Sequence, residues 1–368
     1  MTEKKILILG GTGTLSRTIA VNANNLGWNV SVFNRGHHNS FLPESITKIK
    51  GDFYSINDLK ERFNNKTYDV VIDFLSRKRN DIERIHPILG SKCSQYIFIS
   101  SSCVFRRSSA DFPLIESSAK PNTDWTYNVE KYEAEQSLIQ LAKKNNLCYY
   151  TIVRPYITYD EHRIPIAIAP KYEYHRTIIE RIKHGKPMFV IDDGSAISTV
   201  TYVEDFAKGV LGLLLNQKAL NEDFNVVGDF SYSHRYILET LYLKLGMKPN
   251  IISVPRNKMA KYLPNYSAMI LGDRALNAFF DNKKLKDAVP NLQFEFDLDR
   301  GLEKILAFYN KKNKDAPIDY QYDGQIDRML RKTAKIPGRF CKYADQSGLK
   351  KYLLYSLLPF KLAKKLNK

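Results

Sequence analysis

Lys5-Ile6-Leu7-Ile8-Leu9-Gly10-Gly11-Thr12-Gly13-Thr14-Leu15-Ser16 is the stretch that decides the fold. Lys5–Leu9 reads as a short strand buried on both faces, and Ser16–Leu26 carries apolar residues at helical spacing. The glycines between them permit a tight turn and let the backbone approach a ligand closely. The helix that follows offers free N–H groups and the positive end of its dipole to a phosphate. Gly-x-x-Gly-x-x-Ser, with a strand before and a helix after, predicts a dinucleotide site at Gly10, Thr12, Gly13, Thr14 and Leu15.

Outward from this turn, short apolar runs alternate with helical patterns. Asn29–Phe33, Asp69–Phe74, Gln95–Ser100 and Cys148–Val153 read as further buried strands, and Asn57–Phe63 as a helix. Such alternation predicts an α/β protein with a Rossmann-type, doubly wound parallel sheet. After Val153 the pattern loosens. Tyr172–His184, Val203–Leu215, Ser233–Leu245 and Leu298–Tyr309 read as helices, and Ala196–Tyr202 and Ile251–Val254 as strands. The expected organisation is a dinucleotide-binding core over 1–160, joined by later sheet elements near 196–230. A smaller C-terminal substrate-binding subdomain is interleaved over 161–310. A polar segment, Asn310–Asp323, opens a linker and basic tail over 311–368.

Ligands of such sheets bind at the carboxyl ends of the strands. The second strand ends in Asn34-Arg35. An acid there would bond the adenosine ribose, whereas Arg35 is able to pair with a 2′-phosphate, which tilts the cofactor from NAD toward NADP. Asp52, before Phe53, either accepts from the adenine amino group or forms a turn.

Strand Gln95–Ser100 leads into Ser101-Ser102-Cys103. Further on, Thr126-Tyr127-Asn128-Val129-Glu130-Lys131 opens a helix running toward Asn145. Tyr127 and Lys131 are one turn apart on one helical face. A phenol ionises near pH 10 and is too weak a base at neutral pH, but a neighbouring ammonium favours the phenolate. Bringing it to neutrality corresponds to roughly 4 kcal/mol of differential stabilisation. The Ser101 hydroxyl is placed to hold a sugar oxygen as its proton moves. Tyr-x-x-x-Lys alone is common in a chain with 23 tyrosines; its position between the serine strand end and Val153-Arg154-Pro155 gives it meaning.

These residues, in this order, resemble the extended short-chain dehydrogenase/reductases, the NAD-dependent epimerase/dehydratase family of nucleotide-sugar enzymes. The resemblance covers about residues 4–310 and includes Tyr96–Ser102, Tyr127–Lys131 with Glu135, Arg154-Pro155, Tyr202–Asp205 and Gly301-Leu302. It implies that Ser101 (or, failing it, Ser102) is the catalytic hydroxyl, Tyr127 the acid/base and Lys131 the holder of the nicotinamide ribose. It also implies cofactor contacts at Phe53, Phe74, Ser76, Arg154 and Pro155, a nucleotide-sugar substrate and a homodimer. Two departures bear on the substrate: Phe105-Arg106 follows Val104 where Tyr-Gly is usual, and Ser198-Thr199 stands where an Arg-Asp pair grips the nucleotide. The leading reading is a 4-epimerase. A 4-keto-sugar reductase or dehydratase is the alternative, and an RNA-associated or cofactor-sensing protein without chemistry is a further one.

The net charge of +17 is concentrated at the end of the chain. Arg331–Lys368 holds eleven Lys or Arg against one acid, Asp345, about +10 by itself. That concentration argues against nucleic acid as the main partner. Within 349–368, leucines and aromatics recur between lysines, with Pro359 as a break. The pattern suits an amphipathic segment on an anionic membrane surface, near polysaccharide biosynthesis, or a helix packed on the protein's own body or a second subunit. Four scattered cysteines, no apolar run long enough to span a bilayer and no signal peptide make a cytoplasmic protein the expectation, peripheral at most. No histidine has a partner at metal-ligand spacing, so no metal is expected.

Overall fold

The computed structural model describes residues 4–107, 112–312, 315–343 and 348–367. The chain divides into two compact units. The first comprises Met1–Thr158, Thr201–Asp229 and Phe280–Glu295, and the second Tyr159–Val200, Phe230–Phe279 and Phe296–Lys368.

The first unit is built on a seven-stranded sheet whose described pairings are parallel. Its strands are β1 (Lys5–Leu9), β2 (Asn29–Asn34), β3 (Thr47–Lys50), β4 (Tyr68–Asp73), β5 (Cys93–Ile99), β6 (Tyr149–Arg154) and a late strand, Glu222–Asn225. From one edge to the other the order is late strand, β6, β5, β4, β1, β2, β3. The chain reverses direction across the sheet between β1 and β4, and a crevice opens at that switch point. Leu9 pairs with both Phe33 and Asp73 there, so three strands end together beside the glycine turn.

The strands hold because their side chains are apolar on both faces. Ile6 to Leu9, Val70 to Ile72 and Tyr96 to Phe98 are fully buried. Helices α1 (Thr14–Asn25), α2 (Ile56–Phe63), α3 (Arg79–Leu89) and α4 (Thr126–Asn145) follow strands as expected. Leu59 and Phe63 of α2, Ile82, Ile85 and Leu89 of α3, and Ala134 and Leu138 of α4 close one core cluster over the sheet.

The second unit has its own core. Strands Met188–Ile191 and Ile251–Val254 pair in parallel. Phe189, Ile191 and Val254 pack with Ile326, Met329 and Leu330 of a helix spanning Tyr320–Ala334. That helix corrects the linker expected from 311 onward. Its Asp323 is completely buried, where Lys186 and Arg181 both bond it, and Asp327 bonds Lys186 at 2.8 Å. The polar residues that read as a linker are the inward-facing partners of buried cations. The expected helix Tyr172–His184 begins later, as Arg176–Lys183, after a short 3₁₀ turn. Ser198 and Thr199 belong to the second unit, and Phe280–Glu295 returns to the first, which the periodicity did not indicate.

Candidate active site

The glycine turn follows a backbone path that glycine takes without strain. Gly10 has φ +112° and Gly11 φ +87°, backbone that L side chains rarely adopt. A Cβ on Gly11 would lie 2.5 Å from Val32 Cγ1. Asn34 fastens the turn to β2: its Nδ2 donates to the Gly10 carbonyl (3.0 Å), and its Oδ1 accepts from the Gly36 amide (2.7 Å). Gly13 is the N-cap of α1, and its amide donates to Ser16 Oγ (3.2 Å). Ser16 thus stabilises the turn where a third glycine is usual.

Around the turn lies a cleft of about 650 Å³. Gly10, Thr12, Gly13, Thr14, Leu15, Asn34, Arg35, Asp52, Phe53 and Phe74 all line it. A dinucleotide fits these residues: the first residues of α1 line the cleft, and at Gly11 of the turn a side chain would collide with Val32. His37 and His38 line the cleft as well, which no spacing signal in the sequence marked. Asp52 adopts the turn role, its Oδ1 accepting from the Tyr54 amide at 3.0 Å. Arg35 is exposed and also lines a second cleft of about 740 Å³ with Lys48, Lys50, Arg62 and Lys66. Of these cations Arg62 is paired, with Asp58 at 3.1 Å.

The serine strand, β5, delivers three hydroxyls with different surroundings. Ser102 is committed: its Oγ donates to the Arg154 carbonyl (3.0 Å) and its amide to the Pro155 carbonyl (3.0 Å). Ser101 Oγ accepts from the Cys103 amide (3.2 Å), which orients the hydroxyl while its proton remains to be donated. Ser100 Oγ is buried without a hydrogen-bond partner among the described residues.

Lys131 is buried on α4, and its Nζ donates to the carbonyls of Ser76 (2.9 Å) and Ile99 (2.8 Å). These oxygens lie just beyond β4 and at the end of β5, so the ammonium sits at the carboxyl end of the sheet. Burial lowers its pKa to about 8, against the opposing pull of Asp73 and Glu135. Tyr127, one turn earlier, is half-buried, with Trp125 at 4.9 Å and the Arg77 guanidinium over its ring at 5.2 Å. Arg77 is itself held by Glu130 at 2.6 Å.

Two supporting residues were not legible in the sequence. Asp73, fully buried, accepts from the Leu75 and Ser76 amides and from the Tyr96 hydroxyl (2.6 Å), which shapes the turn carrying Phe74 and Ser76. Its place as the last residue of a strand before a turn was the available signal. Asn128, beside Tyr127, buries a carboxamide with neither end bonded among the described residues.

Ser76, Arg154 and Pro155, like Ser101, Tyr127 and Lys131, are not among the residues that line this cleft around the glycine turn. Ser76 serves through its carbonyl, on Lys131. The Arg154 guanidinium forms a fork with both oxygens of Glu135 (2.8 and 2.7 Å) and bonds Asp223 at 2.6 Å. It joins α4 to the late strand inside the protein, so its side chain is occupied by structural work. In the second unit, Ser198 Oγ lies 3.2 Å from His234 Nε2, and Thr199 Oγ1 2.8 Å from Ser231 Oγ.

The model of the NAD dependent epimerase/dehydratase family matches residues 6–227. Among curated proteins, the Chloroplast stem-loop binding protein of 41 kDa b from Arabidopsis thaliana is 30% identical over 240 residues, which is 62% of this chain. The match spans only 59% of that relative's length. Solved structures with the same fold include an epimerase from Methanothermobacter thermautotrophicus, with TM-score 0.71 and 16% identity over 85% of this chain and 94% of that one. A UDP-glucuronic acid 4-epimerase from Bacillus cereus, in complex with UDP-glucuronic acid and NAD, gives TM-score 0.66 and 18% identity over 83% and 99%. A UDP-glucose 4-epimerase from Bifidobacterium longum, with NAD⁺ and UDP, gives 0.67 and 17% over 84% and 99%.

Proposed function

The chain belongs to the NAD-dependent epimerase/dehydratase family, and we propose that it is a nucleotide-sugar 4-epimerase using a bound nicotinamide dinucleotide. The observation that carries this reading is the buried Lys131 ammonium at the carboxyl end of β4 and β5, one helical turn from Tyr127. Taking hydride from a sugar carbon and giving it back is the chemistry a bound nicotinamide would supply. The Gly10–Leu15 turn and the first turn of α1 would hold its pyrophosphate. Tyr127 would take the proton of the sugar hydroxyl when its carbon is oxidised and return it when that carbon is reduced again. Lys131 favours the phenolate by its charge and offers its ammonium to the nicotinamide ribose. Ser101 donates to the sugar oxygen and holds it in line; Ser102, bonded to the Arg154 carbonyl, is not available for this.

A specific observation supports a second reading, an NADPH-dependent 4-keto-sugar reductase. Asn34 replaces the ribose-binding acid and is bonded to the turn, while Arg35 joins Lys48 and Lys50 beside the adenosine end of the cleft. That cluster suits a 2′-phosphate. Mass spectrometry of the cofactor carried through gentle purification separates the two. Retained NAD⁺ supports the epimerase cycle, and a site that fills only with NADPH supports the reductase. The plant relative's name raises stem-loop binding as a rival, for which the same cations would be the footprint. Steeply salt-dependent binding of a stem-loop RNA, with no turnover of any sugar nucleotide, would favour that rival and remove both enzyme readings.

A further inference from the structure

Gly348–Leu357 and Phe360–Leu366 form two helices at the end of the chain, separated by Pro359. Their inner side is fixed to the second unit. Tyr352 donates to Asp327 Oδ2 at 2.6 Å, and Arg331 donates to the Ser356 carbonyl. Gly348 and Gly324 allow the close approach: a Cβ on Gly324 would lie 2.6 Å from the Tyr352 carbonyl oxygen. Tyr352, Tyr355, Ser356 and Ala363 are buried there. The expectation of a helix packed on the protein's own body therefore holds for this side.

The outer side is the opposite of what a solvated helix shows. Leu349, Leu353 and Leu357, four residues apart, are 44%, 42% and 57% exposed, and Leu362 and Leu366 of the last helix are 45% and 54% exposed. The first three, with Leu354 and Leu358, form an apolar groove of about 590 Å³. Lysines accompany the leucines. Residues 348–367 contain Lys350, Lys351, Lys361, Lys364 and Lys365 and no acid. At the edge of this face Lys171, Lys351 and Lys364 surround a pocket of about 260 Å³, opposed by one carboxylate, Asp319. Asp345 and Lys368 lie outside the described residues.

We propose that this face docks on an anionic lipid bilayer, leucines at the acyl boundary and lysines among the headgroup phosphates. Charge decides between this occupant and a second copy of the chain. A two-fold interface places the same patch against itself, so lysine would meet lysine with no acid in the helices to compensate. An anionic bilayer offers apolar depth and negative charge together. The helices would lie on the membrane, since no helix among the described residues is long and apolar enough to cross one.

The test is co-sedimentation of the full chain with vesicles of phosphatidylcholine and phosphatidylglycerol, and with phosphatidylcholine alone. Binding is expected to the mixed vesicles, to weaken with salt, and to be slight with phosphatidylcholine alone. Leu349→Gln/Leu353→Gln/Leu357→Gln is expected to lose about tenfold or more in partitioning, and so is Lys350→Gln/Lys361→Gln/Lys364→Gln/Lys365→Gln. All seven substituted side chains are exposed, and a thermal melt confirms folding; if the leucine variant fails to fold, the lysine variant decides. Absence of the wild-type chain from the mixed-vesicle pellet overturns the proposal, as does undiminished binding by a folded variant. A wild-type dimer by sedimentation velocity, monomeric in the leucine variant and indifferent to vesicles, would assign the face to a second copy instead. None of these readouts involves turnover, so the outcome is independent of the proposed reaction.

Discussion

Tyr127 and Lys131 sit on one face of α4, but their roles come from different environments. Lys131 is buried against carbonyl oxygens, and burial brings its pKa to about 8. Below that pH it is an ammonium, able to favour phenolate and to hold a ribose. Above it the charge is lost. The expected consequence is that kcat/KM falls as pH rises through about 8, a limb read in the free enzyme. A profile still rising to the ordinary lysine range would show that Lys131 does not act through its charge. The pair was legible in the sequence by its order among other motifs. What distinguishes Ser101 from Ser102 was not, because the Arg154 carbonyl that takes the Ser102 hydroxyl comes from 52 residues away. The same distance hid the fate of Arg154. A resemblance marks the residue, but its carboxylate partners, Glu135 and Asp223, are scattered along the chain.

At the scale of elements, β1, the glycine turn and α1 act together. The turn needs left-handed backbone at Gly10 and Gly11, and at Gly11 it also needs the space that Val32 leaves. Gly11→Ala is therefore expected to cost about 2 kcal/mol or more by denaturant unfolding and to weaken cofactor binding, since either the turn or β2 must shift. Wild-type stability and cofactor affinity in that variant would mean that the turn relaxes freely. The strands were readable because parallel strands are apolar on both faces, as in Ile6 to Leu9 and Val70 to Ile72. Helices were less sharply bounded, and Arg176–Lys183 starts late because the residues before it form a separate 3₁₀ turn. The Tyr320–Ala334 helix was missed for a physical reason. A segment that places Asp323 and Asp327 inside, against Arg181 and Lys186, has the composition of a loop until its partners are known.

On the scale of the whole molecule, that buried network ties the Tyr320–Ala334 helix to the rest of the second unit. Removing the Asp323 carboxylate leaves Arg181 and Lys186 sharing Asp327 alone, with one buried positive charge in excess. Asp323→Asn is expected to destabilise the protein by about 3–5 kcal/mol, measured by thermal or urea unfolding. A change below about 0.5 kcal/mol would place the helix outside the cooperative core. The tail was half legible: alternating leucines and lysines announced an amphipathic segment, but only packing shows that its tyrosines face inward and its leucines outward. The fold class was readable from the first strand and turn, while the interleaving of the two units was not, because Phe280–Glu295 returns to the first unit without a periodic signal.

The measurement that bears most directly on the central claim is turnover of a panel of nucleotide sugars by Tyr127→Phe beside the wild-type chain, with bound nicotinamide cofactor quantified in both. The wild-type chain is expected to interconvert at least one C4 epimer pair, and the variant to lose that activity by about 10²-fold or more while keeping its cofactor. Equal turnover by the variant would contradict the account.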